Sequence, residues 1–379
     1  MIHQIVILGG GVGGTLLANV LARRLRADEA QIVVIDSHGE HKYQPGWLYL
    51  PFGEETVENL VRPERHLLND RVHLALGQAT KIVPERHLIE MSDGSAVPYD
   101  ILVLSTGADI APDAVPGYAE GAHHFYSEAA ALNLHEQLER FQGGKLVVGV
   151  ADIPYKCPPA PLEFVFKVEE YLQKRGLRER TEITYLSPIN RAFTIESVSE
   201  FVTPLLAERG IALETFFNTE QIDPIGKKII SLEGTEIDYD LLVLVPPHRG
   251  AAVIRDSGLG DAQGWIPTDR STLEVKGHPN IYAIGDATDI PVSKSGSAAH
   301  FEAKVLSDRI VARIHGEPED EHIYDGRVLC FLETGHGQAS QLVFDFAHPP
   351  KPPDPNAFYH YEKLLFNRVY WYIVPNGFV

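Results

Sequence analysis

Residues 5–14, IVILGGGVGG, continue into TLLANVLARRLR at 15–26 and QIVVIDS at 31–37. The two apolar runs predict strands, and the apolar positions at helical spacing between them predict a helix. The glycines fit G-x-G-x-x-G directly before that helix, where a backbone without side chains lets a pyrophosphate approach the helix N-terminus. Asp36 ends the second strand, where a carboxylate accepts hydrogen bonds from ribose hydroxyls. The stretch therefore predicts a dinucleotide-binding βαβ unit, with a glycine-rich turn that binds nothing as the alternative.

Part of this pattern is repeated later in the chain. HLIEMSDGSAVPYDILVLSTGAD at 87–109 and KIISLEGTEIDYDLLVLVPPHRG at 228–250 each place a polar turn between two strands and a Tyr-Asp pair before a buried strand. Between them, KLVVGV at 145–150 predicts a strand, but the loop ADIPYKCPPAP at 151–161 has no glycine triplet. We therefore predict an α/β fold of two tandem Rossmann-like domains with parallel sheets, of which the second has lost its phosphate-binding turn.

The domain boundaries are placed where these patterns change. NIYAIGDATD at 280–289 returns the chain to the first domain, and the proline-rich HPPKPPDPN at 348–356 precedes an aromatic tail. The expected units are a discontinuous first domain of residues 1–112 and 263–322, a second domain of residues 113–262, and a C-terminal segment of residues 323–379.

Composition excludes several classes of protein. A chain of 379 residues with 44% hydrophobic and 22% charged residues is expected to fold into more than one domain. Its formal charge of −19 opposes contact with nucleic acid, because a polyanion would be repelled. The N-terminus has no signal-peptide pattern, and no apolar stretch approaches the roughly 20 residues of a spanning helix. We expect a protein on the cytoplasmic side of the cell membrane, with peripheral membrane contact only.

Two cysteines, Cys157 and Cys330, occur far apart in the sequence, which excludes a zinc ribbon or a disulfide scaffold. Cys157 lies before a predicted helix and next to Lys156, and both features favour a thiolate. Glu163 follows on that helix and is a candidate base if it faces a cavity. The alternatives are a buried apolar role for each cysteine and, for Glu163, a first-turn carboxylate favoured by the helix dipole.

Two segments resemble flavin-contacting segments of the pyridine-nucleotide-disulfide oxidoreductase superfamily, LVLSTGAD at 102–109 and NIYAIGDAT at 280–288. In that superfamily the aspartate reaches the ribityl and pyrophosphate region, and the following helix directs its N-terminus at the flavin. The resemblance implies FAD as the cofactor. The residues assigned to it are Gly9, Gly11, Gly13, Gly14, Asp36, Ala79, Thr106, Gly107, Gly285, Asp286 and Lys294.

Over nearly its whole length the chain resembles the sulfide:quinone oxidoreductase family. The resemblance implies that Cys157 and Cys330 bridge through sulfur and that Lys294 lies near the flavin ring. The third cysteine of many bacterial members is absent, which indicates the two-cysteine type, and no cysteine lies near residues 41–47, which implies non-covalent FAD. The segments that carry the resemblance are the cysteine-proline loop, HKYQPGW at 41–47, VPPHRG at 245–250, GWIPTD at 264–269, IPVSKSG at 290–296 and YDGRVLCFLETG at 324–335.

This resemblance implies oxidation of sulfide with transfer of electrons to a quinone. Hydrosulfide would attack the bridged cysteine pair, leaving a persulfide and a sulfur anion, and FAD would accept the electron pair. The sulfur would leave as polysulfide or on a small thiol acceptor. Which cysteine faces the flavin stays open, as does whether the chain forms a homo-oligomer.

The tail at 357–379, AFYHYEKLLFNRVYWYIVPNGFV, resembles the quinone-pocket segment of the same family. The resemblance to that family implies that Phe331, next to Cys330, and Phe366 and Tyr370 of the tail contact the quinone. Tryptophan and tyrosine also favour the membrane boundary, whereas the alternative is a packed C-terminal helix.

Two other functions stay open at this stage. A type II NADH dehydrogenase has the same architecture but needs a second nucleotide fingerprint, and the cysteine loop occupies that place. A non-catalytic flavin-bound sulfur sensor would be reduced by sulfide without turnover on quinone.

Overall fold

Parallel sheets organise the chain in the computed structural model, which describes residues 2–378. The α-helices are α1 (Val12–Arg24), α2 (Val57–Leu60), α3 (Tyr118–Gly121), α4 (Glu128–Arg140), α5 (Ala160–Lys174), α6 (Glu196–Glu208), α7 (Ala252–Asp256), α8 (Gly296–His315) and α9 (Ala357–Ile373). The strands of the first part are β1 (His3–Leu8), β2 (Ala30–Asp36), β3 (Glu40–Lys42), β4 (Val61–Pro63), β5 (Val72–Leu76), β6 (Ala79–Val83), β7 (Leu88–Met91), β8 (Ala96–Pro98), β9 (Ile101–Leu104) and β10 (Ala108–Ile110). Those that follow are β11 (Gly144–Val150), β12 (Thr181–Leu186), β13 (Ile211–Glu214), β14 (Thr219–Asp223), β15 (Lys228–Ser231), β16 (Glu236–Asp238), β17 (Leu241–Val245), β18 (His248–Gly250), β19 (Glu274–Val275), β20 (His278–Ala283), β21 (Val328–Gly335) and β22 (Gln338–Phe344).

The larger sheet has the order β19-β20-β9-β1-β2-β5. All neighbours in it are parallel except β19 and β20. Ile5, Val6 and Ile7 are fully buried on consecutive positions of β1, as expected for a strand covered on both faces. Strands from residues 3–104 and from residues 274–283 therefore share one sheet.

The second sheet, β13-β12-β11-β17, is parallel throughout. Within each of the two sheets, a small antiparallel sheet is inserted in the chain before a strand of the larger one, β6-β7-β8 before β9 and β14-β15-β16 before β17. The two repeated sequence segments thus form the same unit twice. The predicted fold class, a doubled α/β architecture with parallel sheets, is confirmed.

The C-terminal segment is a hairpin followed by a helix. β21 and β22 pair antiparallel, with Cys330 opposite Leu342, and α9 follows the proline-rich linker. The end of the chain returns to the first sheet's helices, where Asn19 Nδ2 donates to Pro375 O at 2.8 Å. Trp371 Nε1 also donates to Asn59 O at 3.1 Å. The inner face of the tail is therefore packed.

No helix within residues 2–378 has the length and apolar composition needed to cross a bilayer.

Candidate active site

The glycine turn after β1 is closed on two sides and open on the third. A Cβ on Gly9, whose φ is +109°, would lie 2.3 Å from Ser105 O, and one on Gly14 would lie 2.0 Å from Gly9 O. No described atom comes within 4 Å of a Cβ placed on Gly11, which is the N-cap of α1. The turn therefore requires glycine for packing at its ends and leaves space at the helix N-terminus for a pyrophosphate.

Asp36 is held in place by backbone amides. Its Oδ2 accepts from Gly10 N at 3.0 Å, and its Oδ1 accepts from His38 N at 2.9 Å and Gly39 N at 2.7 Å. A carboxylate oxygen has further lone-pair capacity. The side chain is thus fixed at the end of β2 with acceptor capacity left for ribose hydroxyls.

Two other predicted cofactor residues carry polar atoms that lack partners. Within residues 2–378, Thr106 Oγ1 and Asp286 Oδ1 are buried without a hydrogen-bond partner. Such atoms are costly unless a ligand or water satisfies them. They follow the carboxyl ends of β9 and β20, at the same sheet edge as the glycine turn, so the residues present fit FAD.

The remaining assigned cofactor residues lie around this edge. Lys294 is buried, and its Nζ donates to Asp286 O at 3.0 Å and Thr288 O at 2.6 Å. The same Nζ lies 4.1 Å from the ring centre of Trp265, and burial lowers the pKa of Lys294. The others are Ala79 at the start of β6, Gly13 against Ile284, and Gly107 and Gly285 with positive φ.

One short segment contacts both cysteines. Cys157 N donates to Lys294 O at 2.6 Å, and the thiol of Cys330 interacts with the side chains of Ser295 and Ser293. Both are free thiols that pack against the same hydrophobic core. Burial raises the pKa of Cys157, and Glu163 and then Cys330 add to this shift. The fold therefore brings the two sulfurs into one buried site beside the predicted flavin-contacting segment.

Cys157 has a strained backbone, with φ at +52°. A residue with a side chain in the left-handed region costs of order 1–3 kcal/mol, and such strain clusters at functional sites. The observation favours a functional role for this loop over a packing role.

The expectation that Cys157 is predisposed to be a thiolate is wrong for this structure. Burial raises the pKa of Cys157 and, for the same reason, raises that of Cys330 to about 12. The ammonium of Lys156 is directed away from the thiol, toward Gln44 Oε1 at 3.1 Å and Ala108 O at 3.3 Å. Desolvation of the thiols outweighs the two local features visible in the sequence.

Glu163 is a buried partner of a tail residue that the sequence did not identify. Its side chain in the first turn of α5 is 3% exposed, and its Oε1 accepts from Lys363 Nζ of α9 and from Glu333 N at 2.8 Å. Burial raises the pKa of Glu163, opposed by Lys363. Burial would lower the pKa of Lys363, but Glu163, Tyr49 and Glu333 together raise it well above its ordinary value. Charge on Glu163 also affects both cysteines, so this ion pair lies beside the sulfur site.

The predicted quinone residues lie near the same place but differ in exposure. Phe331 is partly buried on β21, next to Cys330, and Phe366 is partly buried on α9. Tyr370 is 2% exposed, and its ring lies 6.5 Å from Phe366 and 4.4 Å from Tyr43. Burial raises the pKa of Tyr43, which is also influenced by Lys363, Cys157 and Glu163. These aromatic rings therefore extend from the sulfur site into α9.

A second buried chain of polar groups links Tyr370 to the glycine turn. Its hydroxyl lies 2.7 Å from His41 Nε2, and His41 Nδ1 lies 3.1 Å from Glu64 Oε2. Thr15 donates to Glu64 Oε1 at 2.7 Å and lies within 3.0 Å of Gly10 O. Sequence reasoning missed His41, Glu64 and Lys363. Each is a polar residue in a segment where the sequence pattern predicts solvent exposure, and only tertiary contacts bury it. The nearest sequence signal was the run HKYQPGW.

Comparisons with known proteins agree with this geometry. The profile of the pyridine nucleotide-disulphide oxidoreductase family matches residues 3–303. The mitochondrial sulfide:quinone oxidoreductase of Mus musculus is 25% identical over 359 residues, covering 92% of this chain and 79% of the relative. The type II NADH:quinone oxidoreductase of Staphylococcus saprophyticus is 22% identical over 359 residues, covering 88% of both chains.

A solved structure establishes the fold over the whole length. The crystal structure of the sulfide:quinone oxidoreductase from Aquifex aeolicus superposes with a TM-score of 0.86 at 23% identity, covering 99% of this chain and 92% of that one. The chain therefore belongs to the pyridine nucleotide-disulphide oxidoreductase family, and it is a flavin-dependent oxidoreductase.

Proposed function

We propose that this enzyme oxidises sulfide through the Cys157 and Cys330 pair and passes the electrons through FAD to a quinone. The observation that carries the proposal is that two adjacent residues contact the two cysteines at the flavin edge of the fold. Lys294 O accepts from Cys157 N, and the Ser295 side chain interacts with the thiol of Cys330. The mouse and Aquifex relatives, which are named for sulfide and quinone, support the same substrates.

The chemistry begins with the two cysteines joined through sulfur. Hydrosulfide attacks one sulfur of the bridge, so that one cysteine becomes a persulfide and the other a thiolate. FAD, when bound, supplies the two-electron acceptor beside this pair. Glu163 is buried in the first turn of α5, just after the Cys157 loop, and its proposed role is to accept a proton from the sulfur site, while Lys363 compensates its negative charge. Transfer of the outer sulfur to a small thiol, or its release as polysulfide, returns the persulfide cysteine to a thiol. The two thiols would then re-form their bridge, losing two protons and passing two electrons to FAD when it is bound.

The FAD site is built from groups of the chain that do not form a covalent link. The two cysteines are both assigned to the sulfur site, and the glycine turn, Asp36, Thr106 and Asp286 are placed to bind by hydrogen bonds. We therefore infer that FAD is held without a covalent bond, with Ala79, Gly107, Gly285 and Lys294 completing its surroundings.

The quinone is proposed to approach from the α9 side of the site. Phe331 is adjacent to Cys330, and Phe366 is a partly buried aromatic residue whose ring lies 6.5 Å from that of Tyr370. Tyr370 itself is enclosed and bonded to His41, so its proposed contribution is to hold the position of the Phe366 ring.

Anaerobic reduction of the purified holoenzyme tests the proposal. Sulfide should bleach the flavin absorbance, and a soluble quinone analogue should restore it with continued turnover. NADH should bleach it poorly, because the loop after β11 lacks the glycines that accommodate a second pyrophosphate.

Two results would reject this assignment. Rapid bleaching by NADH without bleaching by sulfide would identify a type II NADH dehydrogenase, to which the Staphylococcus relative points. Bleaching by sulfide without turnover on quinone would identify a sulfur sensor.

An exposed apolar face on α9 supports peripheral contact with a membrane, which we place on the cytoplasmic side. Phe358, Tyr361, Leu365 and Tyr372 are 69%, 67%, 60% and 74% exposed. Their spacing places them on one face of the helix. Aromatic and aliphatic side chains on one helix face favour the membrane interface.

Flotation with phosphatidylcholine vesicles should separate this face from ordinary surface residues. The triple variant Phe358→Ser, Leu365→Ser, Tyr372→Ser should lose vesicle binding by at least about tenfold, since each buried apolar side chain contributes of order 1.5–3 kcal/mol. Ile225→Ser is the control, because Ile225 is 95% exposed and lies far from α9 in sequence. Equal binding by the triple variant and the wild type would contradict membrane contact through α9.

A further inference from the structure

A partly exposed histidine links the buried charges beside the cysteines to solvent. The side chain of His360 on α9 is 19% exposed, and its Nδ1 lies 2.9 Å and 3.1 Å from the two carboxylate oxygens of Glu333. Glu333 on β21 is 1% exposed and also accepts from the Tyr49 hydroxyl at 3.2 Å. His360 therefore stands between a buried carboxylate and water.

The same carboxylate lies next to the Glu163 and Lys363 pair. The amide of Glu333 donates to Glu163 Oε1 at 2.8 Å, and Lys363 Nζ lies 5.5 Å from the ring centre of Tyr49. Burial lowers the pKa of Lys363, but its interactions with Glu163, Tyr49 and Glu333 together raise it well above its ordinary value. A lysine ammonium has three donors on a flexible stem, so Lys363 has donors left beyond the one that Glu163 Oε1 accepts.

The other charged groups around this cluster are few and can be named. From α5, Lys167 Nζ lies 4.9 Å from the ring centre of Tyr49 and pairs with Glu54 at 2.6 Å. The adjacent strand β22, with the sequence QASQLVF, contributes no ionisable side chain. Tyr43 is also influenced by Lys363 and Glu163. Within residues 2–378, the ionisable groups named between solvent and the sulfur site are thus His360, Glu333, Tyr49, Tyr43, Lys363 and Glu163.

We propose that His360 and Glu333 form the port through which protons pass between solvent and the buried Glu163 and Lys363 pair during turnover. This inference rests on the proposed function. Hydrosulfide gives up one proton and two electrons as its sulfur passes from oxidation state −2 to 0, whereas a quinone takes up two electrons and two protons. One proton must therefore enter from water in each turnover. Histidine is the side chain suited to proton transfer near neutral pH.

The chain contains a matched histidine and glutamate pair that serves as a control. His336 Nε2 lies 3.0 Å from Glu169 Oε2, with side chains 35% and 1% exposed, on the turn of the same hairpin. In addition to His336, Glu169 pairs with Arg178 at 3.5 Å and with Arg209 at 3.1 Å. Loss of His336 removes a similar surface histidine without touching the proposed port.

The test compares half-reactions of the holoenzyme in His360→Gln, His360→Ala and His336→Ala. Glutamine still donates a hydrogen bond to Glu333 but cannot carry a proton. Both His360 variants should keep the wild-type rate of flavin bleaching by sulfide and lose at least about tenfold in turnover with a soluble quinone analogue. Added imidazole should restore turnover in His360→Ala, and His336→Ala should match the wild type at every pH.

A wild-type rate of quinone turnover in His360→Gln would contradict the proposed port. The role of His360 would then be limited to its hydrogen bond with Glu333. Failure of imidazole to restore turnover in His360→Ala would overturn the port as well. Absence of sulfide:quinone turnover in the wild-type enzyme is a separate result, and it would reject the proposed function instead.

Discussion

Replacing Cys157 or Cys330 by serine is expected to reduce sulfide:quinone turnover by several orders of magnitude while leaving the fold intact. A serine hydroxyl is close in volume to a thiol but cannot form a sulfur bridge or a stable anion near neutral pH. Steady-state turnover of Cys157→Ser and Cys330→Ser, with bound FAD measured by visible absorbance, checks this expectation.

The double variant adds a second, independent criterion. Residues that act as one chemical unit are strongly non-additive, so Cys157→Ser, Cys330→Ser should be little worse than either single variant. Because both cysteines are partly buried against the hydrophobic core, thermal unfolding of each variant is the control for a packing role. Near wild-type turnover in both single variants would show that the cysteines serve only in core packing. The assignment of sulfide as the substrate would then be rejected.

Replacing Lys363 by methionine is expected to destabilise the folded protein by about 3–5 kcal/mol, because it leaves the buried Glu163 carboxylate uncompensated. Lys167→Met is the matched control. Lys167 is also buried, but its partner Glu54 is 43% exposed and can be solvated when the lysine is lost. The expected destabilisation of Lys167→Met is therefore only about 1 kcal/mol. Urea unfolding of the two variants at pH 7.5 measures the difference.

The pH dependence identifies the group responsible. Burial raises the folded-state pKa of Glu163, and loss of Lys363 removes the main opposing charge. A carboxyl whose folded pKa lies above its unfolded value supports stability at low pH and loses that contribution as pH rises through the folded pKa. The loss of unfolding free energy in Lys363→Met should therefore be smallest at acid pH and should grow as the pH rises. Adding Glu163→Gln should remove that dependence, and a pH-independent defect in Lys363→Met alone would contradict this account.

The sequence alone determined the architecture and the identity of the groups at the cofactor edge. A Cβ on Gly9 or Gly14 would overlap neighbouring backbone atoms, and Gly11 lies at the open N-terminus of α1. The spacing of the three glycines indicates this geometry in the sequence. The repeated Tyr-Asp segments predicted a doubled unit, because alternation and buried-strand runs are local properties of strands.

Tertiary structure alone decided the state of the sulfur site. The sequence predicted a Cys157 predisposed to be a thiolate from its neighbour Lys156, yet desolvation by distant segments raises its pKa. Likewise, nothing local in Glu163, Glu333 or His360 indicated that α5, β21 and α9 would meet around Lys363. Local sequence determines which chemical groups a chain contains and which backbone geometry each segment adopts. Burial and the pairing of charges depend on segments far apart in the chain, because both are properties of the space between elements.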